Sequence, residues 1–210
     1  MGKKSPIIEV DHVSEVVNKS FGFWKPAQVI AHKRDVKGDY AALAAYLMHS
    51  MNVADDAGRD VTLNRLQIAA KDLTLSEEGR EAAEQVWEDL SYIRMMTNNA
   101  AMVLHGGKAR NAALNWHYHG TSVERTILCK YAGEPTEIAK HENVTSWGEE
   151  SLDRDFVMCE VDNQAELIRF SNGDMFAIAG GARIFGKPVV HRKPEPDGNP
   201  SLTLIAEPEV

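Results

Sequence analysis

From Ala100 to Ile205 the chain is cut into short β-prone runs, and this pattern limits its fold more than anything else in it. The runs are Ala101 to His105, Ala112 to His119, Glu124 to Tyr131, Thr136 to Ala139, Phe156 to Val161, Glu166 to Phe170, Asp174 to Ala179, Pro188 to His191 and Ser201 to Ile205. Between them stand turn formers: Gly106-Gly107, Gly120-Thr121, Ala132-Gly133-Glu134-Pro135, Asn172-Gly173, Gly180-Gly181 and Pro196-Asp197-Gly198-Asn199-Pro200. Glycine and proline punctuate in this way because one reaches positive φ and the other fixes φ and removes a donor. Many short strands at close intervals predict an antiparallel sandwich or barrel.

The first 99 residues read differently. Ala27 to His32 predicts a short strand. Asp39 is a fitting N-cap for a helix over Tyr40 to Met51, where Leu43, Tyr46, Leu47 and Met51 share one face. Val61 to Leu75 fits neither period cleanly. Ser76 with Glu77 and Glu78 in the first turn opens a second helix, carried by Ala82, Val86, Leu90 and Ile93. Met1 to Gly22 reads as a loose arm with one short helical turn. Neither half is large enough to hide its own sheet face. The expectation is a single domain over 1–210, with a mainly helical segment at 1–99 packed on a β segment at 100–210.

Composition serves mainly to exclude. A net charge of -8 argues against broad affinity for nucleic acid. His32-Lys33-Arg34 and His191-Arg192-Lys193 are the local basic clusters, and both read as solvated surface turns. No apolar run reaches the roughly 20 residues of a membrane helix, and the N-terminus lacks the apolar stretch of a secretory signal. Met1-Gly2 is not followed by the Ser or Thr that myristoylation needs, because Pro6 stands there. Two cysteines, Cys129 and Cys159, form no framework, which fits a reducing cytoplasm.

The chemistry concentrates in Asn115-Trp116-His117-Tyr118-His119. In a strand, residues two apart face the same side. His117 and His119 therefore converge, and Trp116 and Tyr118 face the other way as core residues. Two imidazoles and the carboxylate of Glu124 suit a divalent ion such as iron, zinc, copper or nickel. A third candidate ligand, His191, follows Val189-Val190. His49, His105 and His141 read as surface histidines, and Cys129 as a small buried hydrophobe. No phosphate loop or nucleophile elbow is present.

His117-x-His119 with Glu124 resembles the first metal motif of the cupins, and Gly173-Asp174 through His191 resembles the second, with a longer gap before the histidine. The resemblance implies a cupin-like double-stranded β-helix, or jelly roll, with a metal in the barrel mouth. A longer stretch, with Leu128-Cys129-Lys130-Tyr131 and then Val190-His191-Arg192-Lys193-Pro194, resembles an uncharacterised bacterial family, domain of unknown function 1826. That family's His-x-Asp…His pattern is similar to the facial triad of Fe(II)/2-oxoglutarate oxygenases; here Thr121 stands at the Asp position.

These resemblances imply an α+β fold and a mononuclear metal-dependent oxygenase acting on a small organic or side-chain substrate. Fe(II) is the expected metal and 2-oxoglutarate a candidate co-substrate. His117, His119, His191 and Glu124 are the implied metal ligands, with Glu124 also a base. The closing strand lacks the basic residue that usually grips the co-substrate carboxylate, so Arg125 and Arg169 are the candidate replacements. Cupin-like barrels pair through their sheets, which admits a homodimer. The alternative is a non-catalytic jelly roll that binds a small molecule or a protein.

Overall fold

The computed structural model describes residues 7–19, 21, 29–110, 114–120, 123–148, 156–162, 164, 166–181 and 188–208. The elements in chain order are β1 (Ile7–Glu9), α1 (Val13–Asn18), β2 (Val29–His32), α2 (Tyr40–Ser50), β3 (Gly58–Val61), α3 (Leu63–Lys71), α4 (Glu77–Thr97) and β4 (Ala100–His105). There follow β5 (His117–His119), β6 (Arg125–Ala132), β7 (Glu137–Ala139), β8 (Val144–Trp147), β9 (Phe156–Val161), β10 (Leu167–Arg169), β11 (Met175–Ala179), β12 (His191–Arg192) and β13 (Ser201–Ala206). Parts of several expected stretches lie outside the described residues: the first six residues of the N-terminal arm with Ser20 and Gly22, Ala27-Gln28, the start of the run at Ala112, Thr121-Ser122 and much of the stretch before Pro188.

Capping fixes the helices where the sequence suggests. The Asp39 carboxylate accepts from the Ala42 amide at 2.9 Å, and Ser76 Oγ from Gly79 at 3.1 Å. The ambiguous stretch after Val61 becomes α3 because Thr62 caps it, its hydroxyl oxygen accepting from Arg65 at 3.3 Å. Helix α4 stops at Asn98, which takes the left-handed conformation at φ 56°.

Two sheets form. Their orders are β1-β2-β11-β6-β13-β4-β3 and β10-β7-β12-β5-β9-β8. At the centre of the first stand β4-β13-β6-β11, and in the second β10-β7-β12-β5. From β4 to β7 the chain alternates between the sheets with each strand. It makes the hairpin β8-β9 and returns through β10, β11, β12 and β13. This winding is the double-stranded β-helix, with β8 and β9 inserted between its fourth and fifth strands. The α+β expectation with a helical N-terminal segment holds.

Strand β6 shows how the layers are built. All eight of its residues are buried, because it lies between two packed layers. Ile127, Cys129 and Tyr131 face the helices. Thr126, Leu128 and Lys130 face the barrel interior, opposite Ile178 and Phe176 of β11 and Ile205 and Thr203 of β13. Leu43, Leu47, Leu90 and Ile93 are fully buried against the outer face of the first sheet. Each such side chain contributes roughly 1.5–3 kcal/mol by leaving water.

Between β6 and the helices lies a closed polar network. The Arg34 guanidinium donates to Asp89 of α4 at 2.8 Å and to the Gly173 carbonyl at 2.8 Å. Tyr131 Oη donates to the other Asp89 oxygen at 2.5 Å. Cys129 Sγ lies 3.4 Å from both Arg34 Nη2 and the Gly173 oxygen. Burial pushes the Cys129 thiol up to about 12, so it stays neutral. Arg34 thus departs from the surface turn expected for His32-Lys33-Arg34: its side chain is 11% exposed. Gly173, at φ +91°, lets the chain turn into β11; a Cβ there would meet Val36.

Candidate metal centre

Strand β5 is three residues long, and its alternation sets the site. Tyr118 points outward into a small apolar cluster with Ala139, Val157 and Val190. His117 and His119 point into the barrel. His117 sits opposite His191 of β12 in register, so a residue more than seventy positions away arrives at the same face. The ring centroids of His117 and His191 are 4.4 Å apart; those of His119 and His191 stack at 5.1 Å. Phe156, paired with His119 from β9, turns its ring edge-on to both His117 and His119.

His117, His119 and His191 are 2%, 8% and 5% exposed. Each has its Nδ1 taken. His117 Nδ1 donates to the Asn115 carbonyl at 2.7 Å, and His191 Nδ1 to the Val189 carbonyl at 3.2 Å. His119 Nδ1 donates to Glu207 Oε1 at 2.6 Å. An imidazole that donates from Nδ1 keeps its lone pair on Nε2. Burial pulls His117 down to about 4, and burial together with the neighbouring imidazoles takes His191 well below the usual range. Both are neutral at pH 7, when protons do not compete for Nε2.

Ring nitrogens of His117, His119 and His191 lie within 4.8 Å of one another. Ligands about 2.1 Å from one cation lie at most about 4.2 Å apart, so the three rings would draw inward to hold it. The donor set fits a divalent transition metal: three borderline nitrogen ligands, with tautomers preset by a second layer of acceptors.

The remaining expected site residues go elsewhere. Glu124 is exposed and outside the histidine cluster. The Val123 amide donates to the Gly120 carbonyl at 3.1 Å, and Glu124 leads directly into β6 of the first sheet. Glu124 is therefore corrected as ligand and as base. Arg125 stands on the helix-facing side of β6 and donates to the carbonyls of Val16, Val17 and Lys19, closing the C-terminal end of α1. It does not reach the barrel interior. Arg169 is half exposed and pairs with Glu137, which also takes Arg192 Nε at 2.7 Å. Burial would raise the Glu137 carboxyl, but the two guanidiniums override it and hold it below its usual range. Both arginines are engaged in structure. His105 is also half-buried rather than superficial, and burial pulls it down to about 4.

Two residues enter that the sequence reading passed over. Lys130 projects into the barrel from β6, 5% exposed, with no hydrogen bond or ion pair within 4 Å among the described residues. It lines a cavity of ≈ 20 Å³ together with Lys193, two residues beyond His191, and Ser201. Burial, reinforced by Lys193, lowers the Lys130 ammonium to about 7 against the opposing pull of Asp197 and Glu134. The signal was a lone lysine at an inward-phase position of an otherwise closed strand. Glu207 follows the last strand and carried no signal at all. Its bond to His119 holds its carboxyl below the usual range despite its partial burial.

No protein-family model and no curated protein sequence matches this chain. Among solved structures, a C-terminally truncated Neurospora crassa protein in its apo form aligns over 98% of this chain and 94% of its own, at 10% identity and TM-score 0.45. A dioxygenase for auxin oxidation from rice aligns over 99% of this chain and 83% of its own, at 10% identity and TM-score 0.44. The full-length form of the same Neurospora crassa protein, in complex with alpha-KG, gives 9% identity and TM-score 0.39, over 97% of this chain and 85% of its own. Likeness at this level carries no weight for activity; the fold rests on the strand order above. No helix among the described residues is long and apolar enough to cross a membrane.

Proposed function

We propose that this protein is a mononuclear Fe(II)-dependent oxygenase acting on a small organic or side-chain substrate. One observation carries the reading: three buried histidines, each held through Nδ1, bring ring nitrogens within 4.8 Å of one another inside a double-stranded β-helix. His117, His119 and His191 would hold the metal from one side. Ligands grouped on one side leave positions free, the arrangement that suits O2 chemistry at non-haem iron. Bound there, the metal would supply activation of O2 for oxidation of a substrate held beside it.

The chain's own residues do the rest. The carbonyls of Asn115 and Val189 and the carboxylate of Glu207 fix the ring orientations. The Phe156 edge walls the site and keeps water from its flank. Lys130 supports a carboxylate-bearing co-substrate such as 2-oxoglutarate, since it is a buried amine with no ion pair within 4 Å among the described residues, Asp197 and Glu134 acting on it only from farther off. It replaces Arg125 and Arg169 in that role. Its cavity has room for about one water, so a ligand oxygen would enter by displacing it.

Metal analysis of protein purified without a His-tag tests the reading, alongside His117→Ala and His191→Ala. One equivalent in the wild type and little in either variant is expected. Thermal shifts with Fe(II), Mn(II), Ni(II), Zn(II) and 2-oxoglutarate extend the test. Unchanged stoichiometry in both variants, or a flat response to every addition, would leave the non-catalytic binding module instead.

A further inference from the structure

We propose that Glu207 is the positioning carboxylate of this metal site, supplying through His119 the negative charge that a two-histidine, one-carboxylate triad carries as a direct ligand. The inference rests on the metal reading above and adds a residue to it. Two of the three rings are held alike, each by a neutral backbone carbonyl two residues back: Asn115 for His117 and Val189 for His191. The third is held differently. His119 reaches across to the opposite sheet and meets a carboxylate oxygen at 2.6 Å.

That carboxylate is itself fixed. Thr126 Oγ1, on the barrel side of β6, donates to the same Oε1 at 3.4 Å. The Glu207 backbone oxygen accepts from Asn99 Nδ2 at 3.1 Å, tying it to the end of α4. Neither contact brings a cation. Among the described residues no lysine or arginine pairs with Glu207, whose side chain is 36% exposed. The carboxylate thus stands behind the ring of His119 and bonds one of its nitrogens, while that ring belongs to the histidine group that could hold a cation.

The charge count closes with a divalent ion. Three neutral imidazoles and one carboxylate around a divalent metal leave one positive charge, the same total as two imidazoles and a ligating carboxylate. The difference is geometric: the carboxylate stands one ring behind the metal, and Nε2 of His119 takes its place as ligand. Hydrogen bonding to Nδ1–H raises the basicity of Nε2, and removing such a partner typically lowers metal affinity 10–100-fold.

The test uses Glu207→Gln, which keeps an oxygen to accept from His119 but removes the charge, with Glu207→Asp and His191→Ala beside it. Dissociation constants for Co(II) are measured on metal-free protein by competition with a chelating dye, with the Co(II) visible absorption spectrum and the metal-free melting temperature recorded for each. The expected result is at least 10-fold weaker Co(II) binding in Glu207→Gln, a shifted spectrum, partial rescue by Glu207→Asp and an unchanged metal-free melting temperature. Equal affinity and spectrum in wild type and Glu207→Gln would overturn the role of Glu207 while leaving the metal site standing. No Co(II) binding in the wild type, or binding that survives His191→Ala, would remove the metal reading and this inference with it.

Discussion

The two faces of β6 are built from the same strand and do opposite things. Toward the helices, Cys129 and Tyr131 join Arg34, Asp89 and the Gly173 carbonyl in a network whose polar groups find one another. Toward the barrel, neither Lys130 nor the nearby Ser201 hydroxyl has a partner among the described residues, and the three histidines leave Nε2 uncommitted. Buried polar groups are normally satisfied. A closed network therefore accounts for itself as structure, whereas open donors and lone pairs ask for a ligand.

The comparison can be broken at several points, starting with the largest effect. His191→Ala should take bound metal from about one equivalent to near zero while the metal-free melting temperature moves by only a few degrees; a collapse of the fold would show that the ring is structural. Asp89→Ala should cost about 3–5 kcal/mol, because it strands the Arg34 guanidinium at 11% side-chain exposure. For a chain of this size that is a fall in Tm of roughly 10 °C, with metal stoichiometry unchanged. Loss of metal without loss of stability would reverse the two assignments.

Lys130→Met should stabilise, and pH sets by how much. Burial takes the Lys130 ammonium from 10.5 to about 7. Between those values the unfolded chain holds a proton that the folded chain does not, so stability from this group rises with pH. The penalty is full below pH 7, at most about 5 kcal/mol, and fades toward pH 10.5. Chemical denaturation of wild type and Lys130→Met at about pH 6.5 and about pH 9.5 should show a large gain at the first and a smaller one at the second. A pH-independent difference would mean that the lysine is not desolvated as described. The same variant should lose any thermal shift produced by 2-oxoglutarate.

The smallest effects are expected where the structure redirects the sequence expectation. Arg169→Gln removes a half-exposed ion pair and should cost under about 1 kcal/mol without altering any 2-oxoglutarate shift. Glu124→Gln should leave metal affinity unchanged. A tenfold weaker affinity in Glu124→Gln would return that carboxylate to the site.

What the sequence could not show follows a pattern. The strands it missed or left as arm and break, β1, β3 and β8, are all edge strands. An edge strand packs on one side only, so Gly58–Val61 and Val144–Trp147 carry few apolar residues and leave weak alternation. Arg125 misled for a related reason. Alternation states that Arg125 and Thr126 face opposite ways, but it does not state which side is the barrel.

By itself the sequence determined the local matters. Capping side chains started α2 and α4, turn residues divided the β half, and strand parity put His117 and His119 on a common face, since each depends on neighbours within a few residues. The tertiary structure alone decided that His191 lies opposite His117, that Glu207 stands behind His119 and that Lys130 faces inward unpaired among the described residues. Those relations join positions separated by some seventy or more residues, or need the barrel's inside to be defined, and both come from sheet register and layer packing, which exist only after the strands have paired.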